Sequence, residues 1–223
     1  MIIHEPDVAI TDLILFIESI LFAWLFYKQT SNHFLLRKLL ILLFLSLGAS
    51  SFIGALFHAF FPAKATTAEG FIVWILVAFS IGVTASTIWC INSLLVKGNK
   101  FIKITLLFSL LYLAIFMYVV IFIDYRFPII MIFYIPPMIV LAFISFYKSY
   151  FYLLFGILLS FVAALIQYFQ ISIHPTIFNY NALYHLIQGI ALMMIFFSFS
   201  KTGPDRLQSN LLLENNSKKP HNT

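Results

Sequence analysis

The sequence has 223 residues, of which 62% are hydrophobic and 9% charged, and its formal net charge is +5. A soluble globular domain carries about a quarter charged residues and at most about half apolar ones, so the composition excludes a water-soluble fold and makes the bilayer the solvent. In that solvent every backbone polar group is satisfied within the chain, by helices or by a closed barrel. The apolar runs are continuous, about 20 residues long and without period-two alternation, which selects helices.

In chain order, the segment Met1 to Asp7 is acidic where a secretory signal is basic, and no small-residue cleavage site follows the first apolar run. That run, 8–27, is therefore expected to be a retained helix carrying Thr11, Asp12 and Glu18. A polar turn from Lys28 to Lys38 leads to span 2 (39–61), where Ser50, Gly54 and His58 share one face. The small polar loop from Phe61 to Gly70 opens span 3 (71–96), whose Ser80, Thr84 and Thr87 form a stripe read as helix packing. Cys90 lies in the same span and, as the single cysteine, has no intrachain disulfide partner. A basic turn from Lys97 to Lys100 precedes span 4 (104–123), and Asp124-Tyr125-Arg126 with Pro128 opens span 5 (128–147). Spans 4 and 5 hold no charged residue, so both read as packing and lipid-facing walls. Lys148 to Tyr150 divides span 5 from span 6 (150–171), which ends near Gln167. Span 7 (180–200) carries Asn181, His185 and Gln188 on one stripe. Gly203-Pro204 is expected to end that helix, leaving 201–223 as a polar, disordered tail with an apolar patch at Leu211–Leu213 suited to the inner membrane surface.

The charges orient these spans. With the N-terminus outside, eleven of the thirteen Lys and Arg residues fall on the cytoplasmic side, and Lys64 and Arg126 alone fall outside. The positive-inside rule then predicts an all-α integral membrane protein, a seven-transmembrane helical bundle with a cytoplasmic C-terminus, in a bacterial inner (plasma) membrane. The positive charge is a topology signal, not a nucleic-acid footprint, and membrane lipids are the expected partners. Nothing in the sequence indicates a soluble protein partner.

Ionisable residues inside spans are candidates for function. Asp12, His58 and His185 each lie a few residues from the outer surface, in a layer about 4–8 Å deep at about 1.5 Å per residue. Gln167 and Asn181 reach the same layer, and Glu18 lies about 9 Å deeper than Asp12. Two imidazoles and a carboxylate in one layer have the composition of a two-His, one-carboxylate metal site. Zinc held by His58, His185 and Asp12 would polarise a carbonyl, with Glu18 or Asp12 as general base.

Asn181-Ala182-Leu183-Tyr184-His185 resembles the last-helix motif of the alkaline ceramidase, adiponectin-receptor and Per1-like superfamily, in which a His-x-x-x-His pair binds zinc. Gly54-x-x-x-His58 resembles that superfamily's Ser-x-x-x-His motif in span 2, and Glu18-Ser19 resembles a Glu in span 1 of the ceramidase branch. The resemblance implies seven helices, an outside N-terminus, and His58 and His185 as zinc ligands in hydrolysis of a lipid amide or related membrane lipid. The chain departs from the pattern at Asn181, where the family has His, and at Gly54, where it has Ser. It also has no acidic residue between Glu69 and Asp124, where the family has Asp.

Three functions therefore stand side by side. The first is a zinc-dependent, amidase-like lipid hydrolase. The second is a metal-free binding or sensor protein with Asn181, Gln188, Gln167, Gly54 and Tyr184 around a small-molecule or lipid pocket. The third is a b-type haem protein with His58 and His185 as axial ligands.

Overall fold

Pro6 opens the first helix at a position whose N–H would lack an intrahelical partner in any case. Asp7 in its first turn and Lys28 in its last complement the helix dipole. In a computed structural model, which describes residues 3–29, 34–61, 64–174 and 177–217, the chain is helical throughout and forms no strand among those residues. The α-helices are α1 (Pro6–Lys28), α2 (Phe34–Phe60), α3 (Ala68–Lys97), α4 (Ile102–Phe122), α5 (Phe127–Tyr147), α6 (Phe151–Tyr168) and α7 (Tyr180–Ser217). Among the described residues six stretches are long and apolar enough to cross a membrane, and one of them, Ala68–Phe122, is 55 residues long. Within that stretch Gly98, at φ 58°, ends α3, and a 3-10 turn over Gly98–Phe101 leads into α4.

Two boundaries differ from expectation. The second helix begins at Phe34 rather than at 39, and α7 continues past Gly203 and Pro204 to Ser217. A proline removes one hydrogen bond of the ladder and crowds the preceding turn, which bends a helix without always ending it. Residues 218–223 and the side chains of the Leu211–Leu213 patch lie outside the described residues.

Neighbouring helices close a ring in the order α1, α2, α3, α5, α6, α7, with α7 returning to α1. The remaining helix, α4, stands outside this ring against α3 and, less extensively, α5. Only Ser109, Phe116 and Val120 of α4 are buried, while Leu107 and Phe122 are 71% and 73% exposed. An apolar face of that extent is rare on a soluble monomer. It is what a helix facing hydrocarbon presents. Spans 4 and 5 are both expected to be packing and lipid-facing walls; α4 stands outside the ring, whereas α5 is a member of it.

A double proline in α5 shows how the outer helix is tied on. Pro137 has no N–H to give the carbonyl of Phe133, four residues earlier, and Tyr112 of α4 donates its hydroxyl to that carbonyl at 2.5 Å. Asn92 of α3 donates to the carbonyl of Pro137 at 2.9 Å. In the Ser/Thr stripe of α3, Thr84 bonds Ser46 of α2 at 2.8 Å, while the Ser80, Thr84 and Thr87 hydroxyls each donate to a carbonyl one turn back. Cys90 is buried against Ser109 of α4.

The half of the ring remote from His58 is filled with hydrocarbon. Phe22 stacks on Phe196 with centroids 4.2 Å apart, Phe44 and Phe26 meet the same rings, and Leu40, Ile91, Leu153 and Ile157 are fully enclosed around them. Free space lies in the other half.

Candidate functional site

The free space is a cavity of about 250 Å³, bordered by α1, α2, α3, α5, α6 and α7 and by no residue of α4. Most sequence candidates meet there. Asp12, Gly54, His58, Gln167, Asn181, Tyr184, His185 and Gln188 all line it. Ser50 joins Gly54 and His58 on the α2 side, as their shared helical face requires.

At the centre of the polar end, His185 Nε2 lies 3.4 Å from Asp12 Oδ1, with both side chains nearly enclosed. The other ring nitrogen, Nδ1, is 3.3 Å from the Thr11 hydroxyl oxygen. That hydroxyl has carbonyls of Asp7 and Val8 at 3.0 Å to receive its own hydrogen, so Nδ1 supplies the hydrogen of the 3.3 Å contact. In the neutral ring Nε2 then faces Asp12 as a lone pair. A lone pair opposite a carboxylate oxygen attracts only through a shared proton or a cation.

Gly54 makes room for this arrangement. A Cβ at position 54 would stand 2.9 Å from Asp12 Oδ2 and 3.4 Å from its Cγ, so the carboxylate rests on the bare α2 backbone. Any side chain at position 54 would crowd Asp12 as placed, so Gly54 on α2 and the carboxylate on α1 are parts of one packing solution.

The three proposed metal ligands do not converge. His58 stands edge-on to His185 with ring centroids 6.4 Å apart, but its Nδ1 is hydrogen-bonded to Glu5, the residue just before Pro6. Among the described residues no three His, Cys, Asp or Glu side chains are grouped so as to hold a metal ion. As placed, the residues form no three-ligand group for the expected zinc, although the Glu5 bond engages only one ring nitrogen of His58 and is the kind of carboxylate contact that orients a ligating histidine. Glu18 is also displaced from its expected role. It lies between α1 and α7 with Oε2 3.0 Å from where a Cβ of residue 189 would stand, leaves Oε1 without a partner, and does not line the cavity.

Uncharged polar residues brace the helix ends around the cavity. Gln167 donates to Asn181 at 2.7 Å, tying α6 to α7, and Gln188 donates to Ser160 at 3.2 Å one layer deeper. Asn179 caps α7 by accepting from the N–H groups of Asn181 and Ala182, and its own N–H donates to Asp7 of α1 at 3.0 Å. His4 donates its N–H to the carbonyl of Ala59, which holds the start of α1 over the end of α2.

Sequence reasoning missed Glu5 and the aromatic wall, and it named Thr11 without giving it a part in the site. Glu5 sits outside the apolar run, so depth alone sets it aside, although its place before Pro6 puts it at the same end as His58. Tyr134 and Phe127 of α5 and Trp74 of α3 line the cavity but belong to segments without charge. Phe127 meets Tyr184 edge-on at 6.4 Å, and Tyr184 leans on His185 at 4.9 Å.

Fold and site together define a class: an all-helical protein with helices of membrane-spanning length, whose ring encloses a cavity with one polar, carboxylate-bearing end. The chain belongs to a family of unknown function (DUF6962), which matches residues 8–203 and so takes in every ring helix and all the cavity side chains named above. No curated protein and no solved structure matches it.

Proposed function

We propose that this chain is a plasma-membrane protein that crosses the bilayer seven times with its N-terminus outside, and that it binds a small molecule in the cavity near the outer face. The observation that carries this reading is the cavity itself. It brings six helices to one space, keeps a carboxylate and two imidazoles at one end, and has apolar walls elsewhere. Ligand sites are commonly concave and mostly apolar, with a few convergent polar groups. At about 250 Å³ the volume is just under the usual range for drug-sized ligands, which is about 300–1,000 Å³. It suits a compact ligand or one end of a longer lipid.

The hydrolase reading is favoured by one observation, the adjacency of His58, His185 and Asp12. It requires Asp12, His58 and His185 to draw together around the ion, with Glu5 holding Nδ1 of His58 while Nε2 ligates. Metal analysis of detergent-purified protein, beside the His58→Ala/His185→Ala double variant, separates the two readings. About one zinc per chain, lost in the variant, establishes the metal site and makes lipid hydrolysis the next assay. Metal-free protein that is stabilised by a small ligand, with the stabilisation lost on cavity substitution, establishes the binding reading.

A further inference from the structure

We propose that the cavity is a receptor site for a small organic cation, an amine or alkylammonium group carried on one compact apolar body, with Asp12 as its counter-ion. This inference rests on the binding reading above and gives that site its ligand class.

The first argument is charge. Asp12 is 4% exposed and lines the cavity, and among the described residues no Lys or Arg side chain borders that space. An ionised carboxylate withdrawn from water needs an opposite charge and hydrogen-bond donors. His185 Nε2 at 3.4 Å lies beyond the usual 2.7–3.2 Å range for N–H···O bonds, and its hydrogen is on the other nitrogen. Gly54, beside Oδ2, has no side chain to offer a donor there. An ammonium group brings both the missing charge and the missing donors.

The walls supply the second argument. The cavity that Asp12 lines is walled also by Phe57, Trp74, Phe127, Tyr134, Tyr180 and Tyr184. Aromatic faces attract cations through their quadrupoles, by about 0.5–2 kcal/mol in sites shielded from water, and such rings are the usual enclosure for alkylammonium groups. Gln167 bonds Asn181 and Gln188 bonds Ser160, and none of these side chains carries a charge to balance Asp12. An anion would meet Asp12 directly. The cavity also exceeds the roughly 150 Å³ that holds a benzene ring, so an aryl-alkyl amine fits within about 250 Å³.

The experiment compares three probes of one shape, 2-phenylethylamine, 2-phenylethanol and phenylacetate, on detergent-purified full-length protein at pH 7. Thermal shift and calorimetric titration are the readouts. The expected result is that the amine binds about tenfold or more tightly than the alcohol, as a charge-assisted hydrogen bond implies, and that phenylacetate gives no shift. Asp12→Asn is expected to remove the difference between amine and alcohol. The wild-type comparison stands by itself should that variant fail to fold. Equal binding of amine and alcohol overturns the cation assignment while leaving a pocket. Tighter binding of phenylacetate than of the amine overturns it too. If none of the three probes binds, the binding reading falls together with the inference.

Discussion

At the residue scale the decisive contact is between a glycine and a carboxylate. Because a Cβ at position 54 would come within 2.9 Å of Asp12 Oδ2, Gly54→Ala is expected to push the carboxylate away from His185 while leaving the helices assembled. The cost belongs with small overpacking changes, about 1–3 kcal/mol. It should appear as a lowered melting temperature with an unchanged size-exclusion profile, and with weakened amine binding. An alanine variant that melts and binds as wild type would show that Asp12 does not rest on this backbone. A second residue-scale prediction concerns the α4–α5 turn, away from the spans. There Arg126 bonds Asp124 through its side chain and its backbone N–H, holding that carboxyl down from 3.8 to about 2. A depressed pKa in the folded state contributes stability above the ordinary carboxyl value and loses it as pH falls through the folded one. The wild type and Asp124→Asn should therefore differ by a constant small amount above pH 4. The two melting curves should converge as pH falls towards 2. Arg126 is 77% exposed, so the difference is small and shrinks in high salt.

At the element scale, α4 is held by particular polar ties more than by its apolar surface, which faces outward. Tyr112→Phe removes the donor that serves the Phe133 carbonyl left free by Pro137. An unsatisfied buried carbonyl costs about 1–3 kcal/mol, so the variant should unfold at a lower temperature and exchange amide hydrogens faster in α4 and α5 than in α1 and α7. Uniform exchange across the helices would count against this role. The same element shows what the sequence could not reveal. Hydropathy marks Ala68–Phe122 as one long apolar stretch, and only the basic turn with Gly98 indicates that the chain reverses there. Whether a helix belongs to the ring or leans on it depends on which residues meet a neighbour, and α4 and α5 are alike in lacking charge. Depth along the helices was legible, and it brought Asp12, His58, Asn181 and His185 to one level. The rotamer that sends His58 to Glu5 rather than to His185 was not, because helical spacing fixes a face and a height but not a χ angle. The continuation of α7 beyond Pro204 was likewise hidden, since a proline is read as a stop although it removes a single donor.

At the scale of the whole molecule, orientation follows from where the basic residues fall, and one cysteine makes it testable. Cys90 is buried between α3 and α4, so a membrane-impermeant maleimide should leave the parent protein unlabelled and give a clean background. Glu69 and Asn99 are both exposed, at opposite ends of α3. With the N-terminus outside, the α2–α3 connection faces the exterior and the basic turn from Lys97 to Lys100 faces the cytoplasm. Glu69→Cys should therefore be labelled on intact cells, and Asn99→Cys only after the membrane is opened. The reverse pattern would invert the molecule and place the Asp12–His185 end of the cavity on the cytoplasmic side, where a ligand would have to come from inside the cell. Labelling of both sites on intact cells would mean that α3 does not cross at all, and the 55-residue stretch would then lie along the membrane rather than through it. The cavity depends on this result, because α3 contributes Trp74, Val77 and Ile81 to its wall. A helix lying on the surface could not reach the space between α2 and α5.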